Sequence, residues 1–357
     1  MIQRLTEWYK RIRTERFLAQ TYQYSYVFVG MGQHSRTNLY PVLHYLGVPL
    51  RCICVTSERR AGLIAEKFGV KATTSLDGIL SDASVRGVFV SASPAAHFSI
   101  ASRVLESGKS LFVEKPPCRN LDELDALIAL RRRCGVPVAM VGLQGRYAPA
   151  VKILRKRLAA ERLLSYDLHY LTGAYPEGNA LLELFIHPLD LVVFLFGKPE
   201  IVACERVSKG NTQRSGESLI LVLRHPPAVG TLELSTAYTW TAAEASLRVC
   251  TSRGVYRLSQ MDSLTFEPHH PLVLGVPLEK VWHRPRTVEH LFAPEGFAST
   301  LRGNRVYTQG YYGELSAFVD AVEGVPGHVE TDLTAMRTVY ELIRACSVPR
   351  QPTPCRC

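Results

Sequence analysis

The hydrophobic positions of the first third of the chain form short continuous runs that alternate with helical spacing. The apolar runs predict strands at residues 26–29, 50–55, 87–91, 110–113 and 136–141, and the segments between them predict helices at residues 35–46, 59–68, 95–107 and 121–134. Strands that are apolar along their whole length are typical of a parallel sheet covered on both faces. The pattern therefore predicts an α/β domain with a doubly wound parallel sheet over residues 23–142.

Beyond residue 142 the spacing changes to a period of two. This texture predicts strands at residues 165–172, 201–207, 219–224, 230–238, 246–251 and 254–258. They indicate a large open sheet, mostly antiparallel, in a second α/β domain over residues 143–347 that ends in two helices at 312–323 and 332–346. Two domains suit a chain of 357 residues. Residues 348–357 are predicted to be a tail.

The first 22 residues predict a helical extension with apolar side chains on one side and basic ones on the other. Packing on the body of the protein or on a partner subunit is favoured over attachment to a membrane surface. The segment is charged throughout, unlike a signal peptide, and no uncharged apolar run reaches the length of a membrane span. We therefore expect a cytoplasmic protein with no integral membrane association.

The charge balance is basic, with 42 Lys and Arg against 32 Asp and Glu and a net charge of +10. Such a charge favours binding to nucleic acid, to a membrane surface or to a small anion. The positive residues are dispersed and accompany no nucleic-acid-binding motif, so no nucleic-acid partner is expected. Nine cysteines are too few for a disulfide scaffold, and the terminal Cys355 and Cys357 favour a frayed tail over a metal site, because no further ligand lies nearby.

A glycine-rich turn follows the first predicted strand and opens a helix. Gly30 permits the tight turn, Gly32 lets the backbone approach a pyrophosphate, and Ser35 is small enough for the helix to pack on the strand. The free N–H groups and the positive dipole end of the helix then face the anion, beside Gln33 and His34. The turn predicts a dinucleotide-binding site.

The end of the second strand bears on the choice of cofactor. An NAD site usually has an acidic residue there to bind the ribose hydroxyls, whereas this chain has Val55 or Thr56 at that position. Ser57, Arg59 and Arg60 offer hydrogen bonds and charge to a 2′-phosphate, so NADP is favoured over NAD. Glu58 is the acidic alternative if the strand extends further.

A polar stripe interrupts the apolar segment that begins near residue 180. Glu183, His187 and Asp190 have the spacing i, i+4 and i+7, which places them on one face of a helix. Polar groups on so apolar an element should face a cleft or a partner, because an unpaired buried charge is costly. Two less favoured alternatives are a core network in which Asp190 accepts a hydrogen bond from His187, and a metal site formed by the three side chains.

Four segments in order resemble the Gfo/Idh/MocA oxidoreductases, which include glucose-fructose oxidoreductase and inositol dehydrogenase. They are the glycine turn at 30–32, SASPAAH at 91–97, FVEKP at 112–116 and ELFIHPLD at 183–190. The resemblance covers about residues 24–347. It implies a Rossmann domain followed by an α/β domain whose open sheet often forms a subunit interface, hence a homodimer or homotetramer, with the nicotinamide between the domains.

The resemblance also implies roles for individual residues. Lys115 matches the catalytic lysine and His187 the usual acid–base, while Glu183 and Asp190 match acidic positions near the substrate. The implied cofactor-binding residues outside the glycine turn and the second strand are Ser93, Pro94, His97, Glu114, Lys115, Pro116 and Gln144. The chain departs from the pattern in having Glu183 for a frequent Asp, Phe185 for a frequent Gly and Gln144 for a frequent Asn, which leaves the substrate more open than the chemistry.

Oxidation of a secondary alcohol removes a hydride from carbon and a proton from oxygen. His187, with an ordinary pKa of about 6.5, is able to accept that proton, and Lys115 would stabilise the developing alkoxide. The weaker candidates for gripping the substrate are Arg146, Tyr147, Tyr170 and Tyr175.

The sequence thus predicts an NAD(P)-dependent oxidoreductase that acts on a sugar, a sugar derivative or a cyclitol. Two alternatives stay open. One is a glycoside-cleaving enzyme that uses its nicotinamide transiently, and the other is a nicotinamide-binding regulator without catalysis.

Overall fold

The computed structural model describes residues 2–19, 21–208, 216–283, 285–297 and 300–347, with only the backbone of residues 16 and 208. The predicted tail, with Cys355 and Cys357, lies outside the described residues.

The first domain is a six-stranded parallel sheet in the order β3-β2-β1-β4-β5-β6, as the apolar runs predict. Its strands are β1 (Ser25–Val29), β2 (Leu50–Cys54), β3 (Ala72–Thr73), β4 (Val85–Val90), β5 (Ser110–Glu114) and β6 (Ala139–Gly142). The helices are α2 (Tyr40–Leu46), α3 (Glu58–Phe68), α4 (Leu76–Leu80), α5 (Pro94–Glu106) and α6 (Leu121–Arg133). Strand β3 and helix α4 are not predicted by the sequence pattern, because they are too short to show a period.

The second domain contains an eight-stranded sheet in which only β7 and β10 pair in parallel among its neighbouring strands. The sheet order is β16-β13-β12-β11-β7-β10-β9-β8. Its strands are β7 (Leu163–Leu171), β8 (Glu200–Ser208), β9 (Glu217–Arg224), β10 (Val229–Ser235), β11 (Glu244–Thr251), β12 (Gly254–Ser259), β13 (Ser263–Pro268) and β16 (Glu289–Phe292), and a separate hairpin joins β14 (Leu272–Val273) to β15 (Val276–Pro277). The predicted open, mostly antiparallel sheet is confirmed, with β13 and β16 as additional strands.

The helices of the second half cover this sheet and return to the first one. They are α7 (Pro149–Leu158), α8 (Ala180–Glu183), α9 (Ile186–Phe196), α10 (Leu278–Val281), α11 (Arg305–Thr308), α12 (Tyr311–Val322) and α13 (Arg337–Ser347). Leu315 and Phe318 of α12 pack in one cluster with Tyr26 and Phe28 of β1. The prediction that assigned this helix to the second domain alone is therefore corrected, because α12 covers one face of the parallel sheet.

A second apolar cluster runs continuously from the other face of the parallel sheet to the large sheet. It includes Val27 of β1, Leu189 of α9 and Leu221 of β9, all fully buried. Helix α9 is therefore packed between the two sheets. The predicted polar stripe lies on this helix and on α8 just before it, beside the carboxyl end of β5.

The N-terminal helix α1 (Ile2–Leu18) forms as predicted, but its described side chains are exposed. Its ring contact with the body joins Phe17 to Tyr45, with the centroids 5.5 Å apart. Leu5, Trp8 and Tyr9 remain more than half exposed, so they do not pack on the described body of the chain, and packing on a partner subunit stays a prediction. Within the described chain, no helix is both long and apolar enough to cross a membrane.

Candidate active site

The glycine turn lies where the first strand ends, in a close approach to the next strand of the sheet. Gly30 has a φ of +92°, and a Cβ built on it would lie 2.3 Å from the backbone oxygen of Ser91. Its N–H donates to the backbone oxygen of Cys54 at 2.8 Å. Only glycine fits this conformation and this contact. A Cβ on Gly32 would meet no atom within 4 Å, so this glycine keeps the outer side of the turn open.

The helix after the turn begins with a π-helical turn, Ser35–Leu39, that runs directly into α2. Ser35 is buried, and its hydroxyl donates to the hydroxyl of Ser91 at 2.9 Å. Its small side chain thus packs the helix against the sheet, as its position in the motif suggests. Gln33 and His34 are exposed at the start of the helix, where the first N–H groups have no partner inside the helix.

The segment after β2 presents a basic side chain to the glycine turn. Ser57 caps α3 by accepting a hydrogen bond from the Arg60 N–H at 3.4 Å, and the Arg60 guanidinium donates to the backbone oxygen of Met31 at 3.1 Å. Thr56 and Arg59 are exposed beside it. Glu58 begins the helix and accepts a hydrogen bond from the hydroxyl of Thr74, so its carboxylate is already engaged.

The SASPAAH segment opens α5, with Ser93 and Pro94 exposed at its start. His97, by contrast, is only 1% exposed. Its Nδ1 lies 2.8 Å from the backbone oxygen of Pro116, and its Nε2 lies 3.0 Å from that of Ala92. The prediction that His97 contacts the cofactor is therefore wrong, because both ring nitrogens are used inside the protein. Instead, His97 ties the Glu-Lys-Pro segment to the loop after β4.

Lys115 follows directly after β5 and points toward the second domain. Its ammonium group donates to the backbone oxygen of Glu183 at 2.7 Å, and its own N–H donates to the Glu114 carboxylate at 3.3 Å. The Lys115–Pro116 peptide bond is cis, and Pro116 is buried. Burial lowers the pKa of Lys115, while the charges of Glu114 and Glu183 raise it in part. A cation is thus held at the seam between the two domains.

His187 lies on α9 close enough to Lys115 for their charges to interact. Burial lowers the pKa of His187 well below its ordinary value, and the positive charges of Lys115 and His34 lower it further. Its ring has no hydrogen-bond partner within the described chain. The structure therefore provides a neutral imidazole with free nitrogen atoms next to a buried ammonium group, as an acid–base pair requires.

Glu183 is the last residue of α8, and its carboxylate is held by two donors. The Tyr175 hydroxyl donates to Oε2 at 2.8 Å, and the Asn179 N–H donates to Oε1 at 3.1 Å. Tyr175 is therefore directed at Glu183 and fixes its position. Phe185 is buried, and its ring lies edge to face with the half-buried ring of Tyr170, with the centroids 6.5 Å apart.

Asp190 forms a buried ion pair with Arg146 and is therefore not available to a ligand in the site. The Arg146 Nε lies 3.1 and 3.0 Å from the two carboxylate oxygens, and both side chains are at most 6% exposed. The predictions that Asp190 acts on the substrate and that Arg146 grips it are therefore wrong, because each satisfies the other. The alternative in which Asp190 accepts from His187 is wrong for the same reason.

The residues that follow β6 make contacts mainly with other parts of the protein. Tyr147 is buried, and its hydroxyl accepts a hydrogen bond from the Glu330 N–H at 2.9 Å, so its predicted role in substrate binding is also wrong. Gln144 is half-buried at the start of a 3-10 turn, Gln144–Tyr147. Gly310, with a φ of +99°, packs on the Gln144 backbone oxygen, 2.1 Å from where a Cβ would stand. This contact fixes α12 against the site.

Two residues near the site were not predicted. Tyr311 lies with its ring 5.6 Å from that of His34, and Glu314 is completely buried one turn further along α12. The signal in the sequence is a carboxylate on an apolar helix face, at i−4 from Phe318. Among the described residues, no group of three or more His, Cys, Asp or Glu side chains could hold a metal ion.

Comparisons with known proteins agree with this geometry. Residues 24–143 match the family model GFO_IDH_MocA, described as the oxidoreductase family with an NAD-binding Rossmann fold. The chain is 27% identical over 238 residues to the putative oxidoreductase YceM of Salmonella typhimurium, covering 65% of this chain and 75% of that protein. It is 30% identical over 148 residues to the UDP-N-acetylglucosamine 3-dehydrogenase of Acidithiobacillus ferrooxidans, covering 40% of this chain and 45% of that protein, less than half of its length.

The whole fold has a counterpart among solved structures. A dehydrogenase from Chromobacterium violaceum superposes with a TM-score of 0.77 at 20% identity, covering 92% of this chain and 95% of that one. This likeness extends the agreement in fold to the second domain. The family match thus covers the first domain with its glycine turn, residues 24–143, as an oxidoreductase family with an NAD-binding Rossmann fold, and the solved structure shows that the fold is shared through the second domain.

Proposed function

We propose that this protein is an NAD(P)-dependent dehydrogenase or reductase that transfers a hydride between the nicotinamide and a hydroxyl-bearing carbon of a sugar, a sugar derivative or a cyclitol. The observation that carries the proposal is the pairing of Lys115 with His187 at the seam between the domains. A related protein acts on UDP-N-acetylglucosamine by its name, which supports the substrate class.

The cofactor would lie along the carboxyl ends of the parallel strands. Gly30 and Gly32 give its pyrophosphate access to the helix that follows, and the tight fit of Gly30 against Ser91 supports that role. Ser93, Pro94, Gln144 and the Glu-Lys-Pro segment would border the nicotinamide end. When bound, the cofactor supplies the hydride acceptor or donor. The seam residues then supply proton transfer and charge.

Within the seam, each side chain has a distinct task. His187 is neutral because burial and Lys115 disfavour its imidazolium form, so it is able to accept the hydroxyl proton during oxidation. The Lys115 ammonium group, held by the Glu183 backbone oxygen, stabilises charge that develops on the substrate oxygen. The Glu183 carboxylate, fixed by Tyr175, is positioned to accept a hydrogen bond from a second hydroxyl. Reduction reverses the proton transfer.

The segment after β2 supports NADP over NAD as the cofactor. Arg60 already contacts the glycine turn, and Arg59 is exposed next to it, whereas the Glu58 carboxylate is engaged by Thr74. Two cations without a free carboxylate favour a 2′-phosphate over a free ribose diol. We expect fluorescence titration of the purified protein to show tighter binding of NADPH than of NADH. A tenfold preference for NADH would overturn this choice.

The large sheet supports assembly into a homodimer or homotetramer. Its outer face exposes Val207, Ile220 and Val229 among charged side chains. Exposed apolar side chains on a sheet face are typical of subunit contacts. Light scattering on the purified protein tests this part, and a monomer at all concentrations contradicts it.

The most direct test of the activity is a screen of sugars, nucleotide sugars and cyclitols with NADP⁺ and NAD⁺. The readout is absorbance of the reduced cofactor, and Lys115→Met is the matched inactive variant. Turnover by the wild type and not by the variant supports the proposal. Glycoside cleavage without net cofactor reduction would favour the glycoside-cleaving alternative instead, and equal signals from both proteins would contradict the role of Lys115.

A further inference from the structure

Glu314 is a buried carboxyl group whose burial the local structure does not explain. Its exposure is 0%, and neither carboxylate oxygen has a hydrogen-bond partner within the described part of the chain. A polar group buried without a partner costs several kcal/mol, and a buried charge costs more. Such a group persists either because a compensating neighbour is close or because it serves a function.

The groups that act on Glu314 come from four elements. Glu114 at the end of β5 and Asp190 on α9 repel its charge, and the Leu143 N–H after β6 attracts it weakly. Two further titratable groups interact with it, the hydroxyls of Tyr147 and Tyr311. The guanidinium of Arg146 is engaged by Asp190. The charges that Glu314 feels most are therefore negative.

Among these groups, Glu114 is the one that directly precedes Lys115 and contacts its backbone. It is only 6% exposed, and it lies against Gly142 so tightly that a Cβ there would be 2.8 Å from its Oε1. Its carboxylate contacts the Lys115 N–H at 3.3 Å and the His34 ring at 3.5 Å, so it links the catalytic segment to the glycine turn. Its charge disfavours a second charge on Glu314, whose two carboxylate oxygens have no hydrogen-bond partner in the described chain.

Burial, followed by the charge of Glu114, raises the pKa of Glu314 well above its ordinary value. We propose that Glu314 is a positioning residue that keeps its proton and shares it with Glu114, so that the pair beside Lys115 carries one negative charge and Glu114 stays fixed toward the cofactor. The part that concerns the cofactor rests on the proposed function. The shared proton itself does not.

The shared proton gives the site two properties. Glu114 and Glu183 already supply negative charge to the Lys115 ammonium group, so a further charge on Glu314 would add to a negative excess in an apolar region. A protonated Glu314 is also a hydrogen-bond donor, which an ionised one is not. The donor would hold the Glu114 carboxylate in one orientation between His34 and the Lys115 N–H.

Infrared difference spectroscopy of the cofactor-free protein tests the proton directly. We expect the carbonyl stretch of a protonated carboxylic acid at neutral pH in the wild type, and its loss in Glu314→Gln. The matched control is Asp320→Asn, on the same helix, since Asp320 faces Glu323 and not Glu114. The band of Glu314 should shift or disappear in Glu114→Gln. A wild type without the band, or a band unchanged by Glu114→Gln, would overturn the proposal.

Cofactor affinity separates a positioning role from a structural one. Glu314→Gln keeps a neutral donor, so its dissociation constant for the reduced cofactor should stay within about threefold of the wild type. Glu314→Leu removes the donor and should weaken binding at least tenfold, the effect expected from losing a hydrogen bond to a charged group. The same variant should raise the melting temperature, because it replaces an unpaired buried polar group with an apolar one.

A Glu314→Leu protein that binds the cofactor as tightly as the wild type would contradict the positioning role. A lower melting temperature together with weak binding would show that Glu314 acts in folding, and it would also contradict the proposal. If Glu314→Leu does not fold, the infrared spectra of the wild type and of Glu314→Gln still decide. Because those spectra need no substrate, failure of the proposed activity would be recognised separately.

Discussion

Two lysines flank the strand β5, and both are shielded from solvent. Lys109, before the strand, is 7% exposed and donates to the backbone oxygens of Asp82 and Val85 at 2.7 and 2.9 Å. Lys115, after the strand, donates to one backbone oxygen and faces the ring of His187. Burial lowers the pKa of both lysines. A buried lysine with a depressed pKa is therefore not by itself a mark of catalysis.

The difference between the two lies in the groups that remain free around them. Lys109 anchors the loop before β4, and its contacts are backbone atoms at the amino end of the parallel sheet. Lys115 lies at the carboxyl end, where ligands bind in open parallel sheets, next to an imidazole without a partner in the described chain. Position in the sheet and unused neighbouring groups thus separate Lys115, the proposed catalytic cation, from Lys109, a structural one.

The largest effect is expected for Lys115→Met. It removes the charge that stabilises the substrate oxygen, and we expect kcat to fall by about 10³. The glycine turn and α3 are unchanged, so the cofactor dissociation constant should stay within about threefold. Steady-state kinetics and fluorescence titration measure the two quantities.

The matched control is Lys109→Met, which should show the opposite pattern. It leaves two buried backbone oxygens short of a donor, and the free energy of unfolding should fall by about 1–3 kcal/mol while kcat stays near the wild-type value. If the two variants lost activity equally, the distinction drawn between the two ends of β5 would be false.

A similar distinction applies to two arginines that lie over the ring of Phe194. Arg146 is buried in its ion pair with Asp190, whereas Arg155 is half exposed and pairs with Glu330 at 2.9 Å. We expect Arg146→Met to lower the free energy of unfolding by about 3–5 kcal/mol, because Asp190 is left charged and buried. Arg155→Met should lower it by less than about 1 kcal/mol. Urea unfolding followed by circular dichroism compares them.

The double variant Arg146→Met with Asp190→Leu sharpens this test. Two apolar side chains of similar size should recover most of the stability that the single variant loses. Because the structure assigns the pair to packing, kcat of the double variant should stay within about tenfold of the wild type. A loss of kcat as large as that of Lys115→Met would show that Asp190 takes part in the reaction.

The parallel sheet and the open second sheet were predictable because each leaves a local signal, whereas the roles of Lys115 and His187 are implied by the family resemblance and stay a prediction. Continuous apolar strands predict the sheet covered on both faces, and the glycine turn and the Glu-Lys-Pro segment mark the edge where Lys115 lies. These features are set by residues that are neighbours in sequence or that lie within one turn of a helix. The predicted single helix through Glu183, His187 and Asp190 is in fact two helices, since Glu183 ends α8 and His187 lies in the first turn of α9.

The wrong assignments of Asp190, Arg146 and Tyr147 concern partners that come from distant segments. Helical spacing places Asp190 in the same stripe as His187, but it does not show that Arg146, 44 residues earlier, closes a buried ion pair with it. Likewise, no local pattern shows that α12 returns to the first domain and brings Glu314 to Glu114. Tertiary partners decide whether a polar side chain on an apolar face is free or satisfied.

The smallest predicted effect is a shift in the titration of His187. Its pKa lies below 6.5 because burial, and then the charge of Lys115, disfavour the imidazolium ion. The neutral form, which accepts the substrate proton, therefore persists as the pH falls toward this lowered pKa, and the rate of oxidation should drop only below it. Lys115→Met removes one positive charge, so the pKa of His187 should rise toward 6.5. Lys109→Met should leave it unchanged.

NMR titration of ring-labelled histidine measures this pKa without any substrate, and His187→Ala identifies the resonance. In the Lys115→Met protein the resonance should titrate at a higher pH than in the wild type, with burial still holding its midpoint below 6.5. An equal shift in both lysine variants would mean that general loosening of the fold, and not the local charge, sets the pKa. No shift in either would place Lys115 too far from His187 to act on the same oxygen atom.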